Sequence, residues 1–166
     1  MMNLAIRPAE LTDLPRLTDI YNHYVTHSVV TFHVEPFTPE QRREWFDQHP
    51  ATGRHRLLVG MWEDQIVGYV SSSRFRPMAA YETTVETSIY LAPEWTGRGF
   101  GKALYQRLFA ELAGEDVRLA VAGIIVPHPA SVALHQSLGF VHVGRFHAVG
   151  RKAGQFWDVD WFERPF

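Results

Sequence analysis

The stretch Gly97-Arg98-Gly99-Phe100-Gly101-Lys102-Ala103-Leu104 constrains this chain more than any other. Three glycines alternate with a basic and an aromatic residue. They follow the apolar run Ser88-Ile89-Tyr90-Leu91 and precede Leu104, Leu108 and Leu112, which are spaced as one helix face. Glycine admits positive φ and lets backbone come close to a ligand. The first turn of a helix presents unpaired N–H groups. A strand, a glycine loop and a helix start therefore read as a phosphate cradle, and a nucleotide-bearing ligand is the first expectation. The loop is not a P-loop, since no Ser or Thr follows Lys102. It is not the dinucleotide fingerprint either, since the third glycine comes one residue early. The plain alternative is a flexible turn, which the flanking strand and helix disfavour.

The rest of the chain supplies a sheet for that loop. Leu4 to Arg7 reads as a first strand stopped by Pro8. Leu14, Leu17, Ile20, Tyr21, Tyr24 and Val25 mark a helix from Leu11 to about Thr26. Thr38-Pro39-Glu40-Gln41 is a helix start with a capping box, leading to Trp45, Phe46 and an end near Asp47. Arg56 to Trp62 and Gln65 to Phe75 form a hairpin about Glu63-Asp64, and Thr83 to Leu91 is the next strand. A helix is expected from about Gly99 to Ala113. Arg118 to Val126 is apolar enough for a strand buried on both faces. After Pro127 and Pro129, Ser131 is expected to cap a short helix ending at Gly139. Val141 to Val149 and Phe156 to Phe162 close the sheet around Gly150-Arg151-Lys152-Ala153-Gly154. The order is β α α β β β α β α β β. That is an α/β (α+β) chain with a mixed sheet flanked by helices.

Several function classes are disfavoured. The 166 residues suit one domain, spanning 1–166, with a real core. The absence of cysteine excludes disulfides, thiolate zinc sites and a cysteine nucleophile, and fits a cytoplasmic protein. Met1 to Pro8 lacks the pattern of a signal peptide, and no apolar run is long enough to span a membrane. A net charge of −2 without a long basic run argues against nucleic acid. No H-E-x-x-H occurs, and His142 and His147 share a strand face only if a bulge intervenes, so no metal is expected. G-x-S-x-G is absent too.

Four segments together resemble the GCN5-related N-acetyltransferase (GNAT) superfamily. They are Thr84-Val85-Glu86-Thr87-Ser88-Ile89-Tyr90-Leu91-Ala92-Pro93, the glycine loop, the strand ending Ile125-Val126, and Ser131-Val132-Ala133-Leu134-His135-Gln136-Ser137-Leu138-Gly139-Phe140. Asn22-His23-Tyr24, Phe32-His33-Val34-Glu35-Pro36, Thr84-Val85-Glu86, Leu134-His135 and Asp158-Val159 are most similar to the phosphinothricin and methionine-sulfoximine acetyltransferases. The resemblance covers about the whole chain. It implies a mostly antiparallel sheet with splayed central strands and acetyl-CoA as co-substrate. It also implies acetyl transfer to the amine of a small amino acid in a ternary complex. Homodimers are common in the family, and Phe156, Trp157, Trp161 and Phe162 offer apolar surface. Three positions depart from the family pattern. Thr96 stands where Arg or Gln is usual, His128 replaces an Asn that contacts the pantetheine arm, and Phe156 takes the place of a Trp. Thr96 is expected to weaken cofactor affinity without abolishing it.

The resemblance also assigns roles. Gly97, Arg98, Gly99, Phe100, Gly101 and Lys102 hold the pyrophosphate. The backbone of Ile89, Tyr90 and Leu91 pairs with the pantetheine amides like an added strand, and an N–H of Tyr90 or Leu91 steadies the oxyanion. His128 and Ser137 complete the cofactor side. Glu86 is the candidate base: a substrate ammonium must lose a proton before it attacks, and a carboxylate partly screened from water can take it. Its plain alternative is a solvent-facing strand residue. His135 is the candidate acid for the leaving thiolate, against a purely structural helical histidine. Phe32 sits in the loop expected to cover the acceptor. Arg74 and Arg76 are candidates to clamp its carboxylate, Arg76 matching better, against exposed strand-end arginines. Two rivals stay open: another acceptor amine (a protein N-terminus, a lysine or a polyamine), and a non-catalytic acyl-CoA sensor.

Overall fold

The computed structural model describes residues 4–166. Four helices and seven strands follow in the expected order: β1 (Ala5–Pro8), α1 (Leu14–His27), α2 (Arg43–Asp47), β2 (Leu57–Trp62), β3 (Gln65–Arg74), β4 (Thr84–Leu91), α3 (Phe100–Leu112), β5 (Leu119–Val126), α4 (Pro129–Ser137), β6 (Val141–Lys152) and β7 (Gln155–Pro165). The strands form one sheet in the order β1-β2-β3-β4-β5-β7-β6. Every adjacent pair is antiparallel except β4 with β5.

That exception creates the site. β4 and β5 pair at Thr84↔Leu119, Val85↔Ala120 and Glu86↔Val121, and then part. On its other edge β4 keeps an unshifted register with β3 from Arg74↔Val85 to Gly68↔Leu91. No bulge between β3 and β4 is needed to open the sheet. β5 instead stays with β7 along its whole length, from Leu119↔Pro165 to Val126↔Asp158. Residues 87–91 are left with a backbone edge that no strand among the described residues covers.

The alternation of side chains along the strands divides the core. On one face, Leu104, Tyr105, Leu108 and Leu112 of α3 pack with Leu58, Val70 and Val85. The three α3 leucines are 0% exposed, and each such burial contributes about 1.5–3 kcal/mol. On the other face, Leu17 and Ile20 of α1 pack with Leu57, Val59 and Tyr69. Gly68 has to be small: a Cβ there would lie 2.6 Å from the Tyr90 carbonyl oxygen.

Three boundaries differ from the sequence reading. The Thr38 capping box forms, with Thr38 Oγ1 accepting from the Gln41 N–H (3.3 Å) and Gln41 Oε1 accepting from the Thr38 N–H (2.8 Å). Residues 39–42 nevertheless make a tighter turn, in which the N–H of Arg42 donates to Pro39 O at 3.1 Å and that of Arg43 to Glu40 O at 3.2 Å, so the α-helix begins only at Arg43. Helix α4 begins at Pro129, before Ser131. Its cap is His128, whose Nδ1 accepts from the Ser131 N–H at 3.3 Å. The last hairpin is longer than expected, because Ala153-Gly154 alone make the turn, at φ of 52° and 76°. The register of β6 shifts between His142 and Gly144, and again between Phe146 and Gly150, and Phe146 and Val149 line one cavity with Glu86.

Candidate active site

The parting of β4 from β5 makes a slot of about 360 Å³. One wall is residues 87–91 of β4, and Leu134, His135 and Ser131 of α4 face it. Gly97, Gly99, Gly101 and Lys102 close one end. Gly97 and Gly99 have φ of 72° and 82°, and a Cβ on either would meet nothing within 4 Å. Conformation, not space, demands glycine at both. Gly99 is the N-cap of α3 and offers no side-chain acceptor. The Ala103 N–H donates to Gly99 O at 3.3 Å. The N–H groups of Phe100, Gly101 and Lys102 come before that bond and face outward from the helix start, as an anion site requires.

A second cavity of about 320 Å³ adjoins the slot, and Val30 and Gly123 line both. Its walls are mainly apolar: Phe32, Ile125, Phe146, Val149, Val159 and Trp161. The one carboxylate lining it is Glu86, which is half-buried. Burial raises the Glu86 pKa, and the positive charge of Arg76 partly offsets the rise. A carboxylate so placed holds a proton more readily than a solvated one.

Behind the slot, His135 is 3% exposed. Its Nδ1 lies 2.8 Å from the Ser131 carbonyl oxygen, which fixes a proton on Nδ1. Nε2 then accepts from the Tyr105 hydroxyl at 2.9 Å. Thr87 Oγ1 is 3.3 Å from the same hydroxyl. Burial lowers the His135 pKa, which disfavours the charged ring.

A family model described as the acetyltransferase (GNAT) family matches residues 17–140. The chain belongs to the GNAT family. It is 51% identical over 162 residues to a phosphinothricin N-acetyltransferase of Streptomyces coelicolor, covering 96% of this chain and 95% of the relative. It is 31% identical to an L-methionine sulfoximine/L-methionine sulfone acetyltransferase of Pseudomonas aeruginosa, covering 98% and 94%. Among solved structures, a GNAT phosphinothricin acetyltransferase from Sinorhizobium meliloti in complex with acetyl-CoA superposes with a TM-score of 0.94 at 35% identity, covering 99% of this chain and 89% of that one.

As a GNAT enzyme the chain is an N-acetyltransferase that uses acetyl-CoA, and the slot fits that molecule. The uncovered β4 edge suits the amides of a pantetheine arm, and the uncapped α3 start suits a pyrophosphate. Of the residues expected on the cofactor side, Ile89, Tyr90, Leu91, Gly97, Gly99, Gly101, Lys102 and His128 line the slot. Arg98, Phe100 and Ser137 do not bring their side chains there. Arg98 stacks 4.7 Å from the Trp95 ring centroid. Phe100 is 2% exposed and packs against Trp62 and Trp95, leaving only its backbone for a ligand. Ser137 is exposed and donates its hydroxyl to Leu134 O at 2.8 Å. It follows the inward-facing His135 by two residues, about 200° around a helix.

On the acceptor side, Phe32 and Glu86 share the second cavity. Arg74 does not join them. It pairs with Val85, so strand alternation turns it to the face opposite Glu86, where it lines a small pocket with His55 and Tyr81. Arg76, beyond the end of β3, is the arginine whose charge reaches Glu86. The Thr96 hydroxyl is spent on Pro93 O at 2.9 Å. Sequence reasoning missed Tyr105, Thr87, Ser131 and Val30. Tyr105 follows Gly101 by one helical turn, and a buried tyrosine hydroxyl needs a partner; that was the one available signal.

Proposed function

We propose that this GNAT enzyme acetylates the primary amine of a small amino acid or analogue, of the phosphinothricin or methionine sulfoximine type, by direct transfer in a ternary complex. The observation that carries this reading is Glu86, half-buried in an apolar cavity that meets the cofactor slot at Val30 and Gly123. Bound acetyl-CoA supplies an activated thioester. Glu86 takes the amine proton, directly or through a water, helped by a pKa raised by burial. The N–H of Leu91, on the β4 edge that β5 leaves open, donates to the carbonyl oxygen that gains charge; the Tyr90 N–H faces β3, as that of Ala92 does. Arg76 holds the acceptor's carboxylate, and Phe32 covers it. His135 is the proton donor to the departing sulfur. To act so the ring takes a second proton from solvent onto Nε2 while the Tyr105 hydroxyl turns to accept, and burial, which disfavours the charged ring, helps it pass that proton to the sulfur and return to imidazole. A small, mainly apolar cavity fits an amino acid better than a protein terminus or a lysine tail. The retention of both Glu86 and His135 fits an enzyme better than a sensor.

Residues 1–166 are proposed to form a single acetyltransferase domain working in the cytoplasm as a homodimer. No helix among the described residues is long and apolar enough to cross a membrane. β6 is an edge strand that exposes Val141 and Val143, and Phe156 of β7 is exposed as well, a surface suited to a second copy; Phe162, expected on that surface, is buried. Sedimentation at micromolar concentration reads the dimer, and a monomer there removes it.

The test of the activity is thiol release from acetyl-CoA with an amine panel. Phosphinothricin or methionine sulfone should be turned over, and Glu86→Gln should lower kcat by about 10²–10⁴ with the KM for acetyl-CoA unchanged. Turnover of polyamines or peptides alone would overturn the acceptor reading. An unchanged kcat in the variant would move the base elsewhere.

A further inference from the structure

A third cavity, of about 280 Å³, lies on the α1 side of the sheet beside Glu86. Its floor is a polar row on β3 and β4. Ser73 is the cross-strand partner of Glu86, Ser71 of Ser88 and Tyr69 of Tyr90. Ser88 and Tyr90 line the cofactor slot as well. Its wall is Arg42, which is 6% exposed. The guanidinium sits 3.9 Å from the Trp45 ring centroid and 4.5 Å from that of Tyr21. Its Nη1 donates to Leu17 O at 3.2 Å. Arg42 forms no ion pair among the described residues, and no carboxylate lines the cavity. Ring faces attract the charge but accept few of its five N–H donors. The Tyr69 hydroxyl, on the same cavity and 1% exposed, has no hydrogen-bond partner among the described residues. A buried cation without a counter-charge and a buried hydroxyl without an acceptor are both costly unless an anion joins them.

We propose that this cavity is the subsite for an oxyanion at the side-chain end of the acceptor, with Arg42 its charged donor and the Tyr69 hydroxyl its second. The inference rests on the amino-acid acceptor reading above. Glu86 and Ser88 share a strand face two residues apart, about 7 Å. An acceptor with its amine at Glu86 and its α-carboxylate at Arg76 therefore reaches the cavity with the end of a glutamate-length chain. An apolar side chain is directed to the second cavity instead, among Ile125, Val159 and Trp161. Of the two acceptor types, the subsite selects the one with an anionic tail.

The experiment compares kcat/KM for phosphinothricin, anionic at its tail, and L-methionine sulfone, neutral there, in the wild type, Arg42→Met and Tyr69→Phe. Tyr69→Phe keeps the ring and removes only a hydroxyl that finds no acceptor among the described residues, so the core stays intact and the variant remains informative if Arg42→Met fails to fold. The expected result is a loss of about tenfold or more for phosphinothricin in either variant. The loss for methionine sulfone should stay within about twofold, with the acetyl-CoA KM unchanged. Equal losses on both acceptors would place the α-carboxylate at Arg42 and overturn the side-chain assignment. No loss on either would remove the subsite. If the wild type acetylates neither compound, the acceptor reading itself fails, which is a separate outcome.

Discussion

Replacing Gly150 with alanine probes whether Phe32 is a wall of the acceptor cavity. Gly150 lies on β6, just after the second register shift. A Cβ built on it falls 2.3 Å from both Cε2 and Cζ of Phe32. Carbon atoms settle at about 3.5–4.0 Å, so the ring must retreat by about 1.2 Å or more. The backbone beneath it is less free to follow, because Lys152 Nζ donates to Thr31 O at 2.8 Å and ties that loop to β6. The ring itself is 38% exposed and can swing. The stability cost therefore falls at the low end of overpacking, about 1 kcal/mol, or a few degrees in Tm. The catalytic cost is larger, since a displacement of about 1 Å at a positioning wall can cost up to about 100-fold. Steady-state kinetics with both substrates varied should show the acceptor KM rising about tenfold, while the acetyl-CoA KM stays put because Phe32 does not line the slot. An unchanged acceptor KM in a folded Gly150→Ala protein would refute the placement of Phe32 over the acceptor.

Other variants read the electrostatics. Arg76 lowers the Glu86 pKa against the rise caused by burial, so Arg76→Ala should move the acid limb of kcat/KM to higher pH, the base now being protonated further up the scale. A limb that stays or moves down would show that Arg76 does not act on Glu86. The same variant should raise the KM for the acceptor and not that for acetyl-CoA. Tyr105→Phe removes the O–H held by His135 Nε2 and should destabilise the protein by about 1–3 kcal/mol in chemical denaturation. It should also lower kcat with little change in the acetyl-CoA KM; full kcat would make the pair structural only.

Most of the architecture is legible in the sequence because local signals and tertiary demands agree. The glycine loop, the Glu63-Asp64 turn and the α3 leucines each specify the element that forms. Two of the misses arise because side-chain direction depends on register and helical phase. Arg74 and Ser137 belong to the right segments, but strand alternation and a helix turn of about 200° point them away from the site. The α2 start is misplaced because its capping box closes a tight turn rather than the first turn of an α-helix. Ser131 yields the α4 cap to His128 because Pro129 already satisfies the first helical position. The polar row Ser71, Ser73 and Ser88 and the packing of Arg42 on Tyr21 depend on contacts between residues 13 to 21 positions apart, and no local pattern carries that information.

The central claim is that the strand edge of residues 87–91 and the uncapped start of α3 hold acetyl-CoA so that its thioester lies beside Glu86. A crystal structure of the complex tests it most directly. The pantetheine should lie between β4 and β5 beyond the Glu86↔Val121 pair, with the pyrophosphate on the N–H groups of residues 99–102. Density for the cofactor on another face of the sheet, or a thioester out of reach of the Glu86 carboxylate, would contradict it.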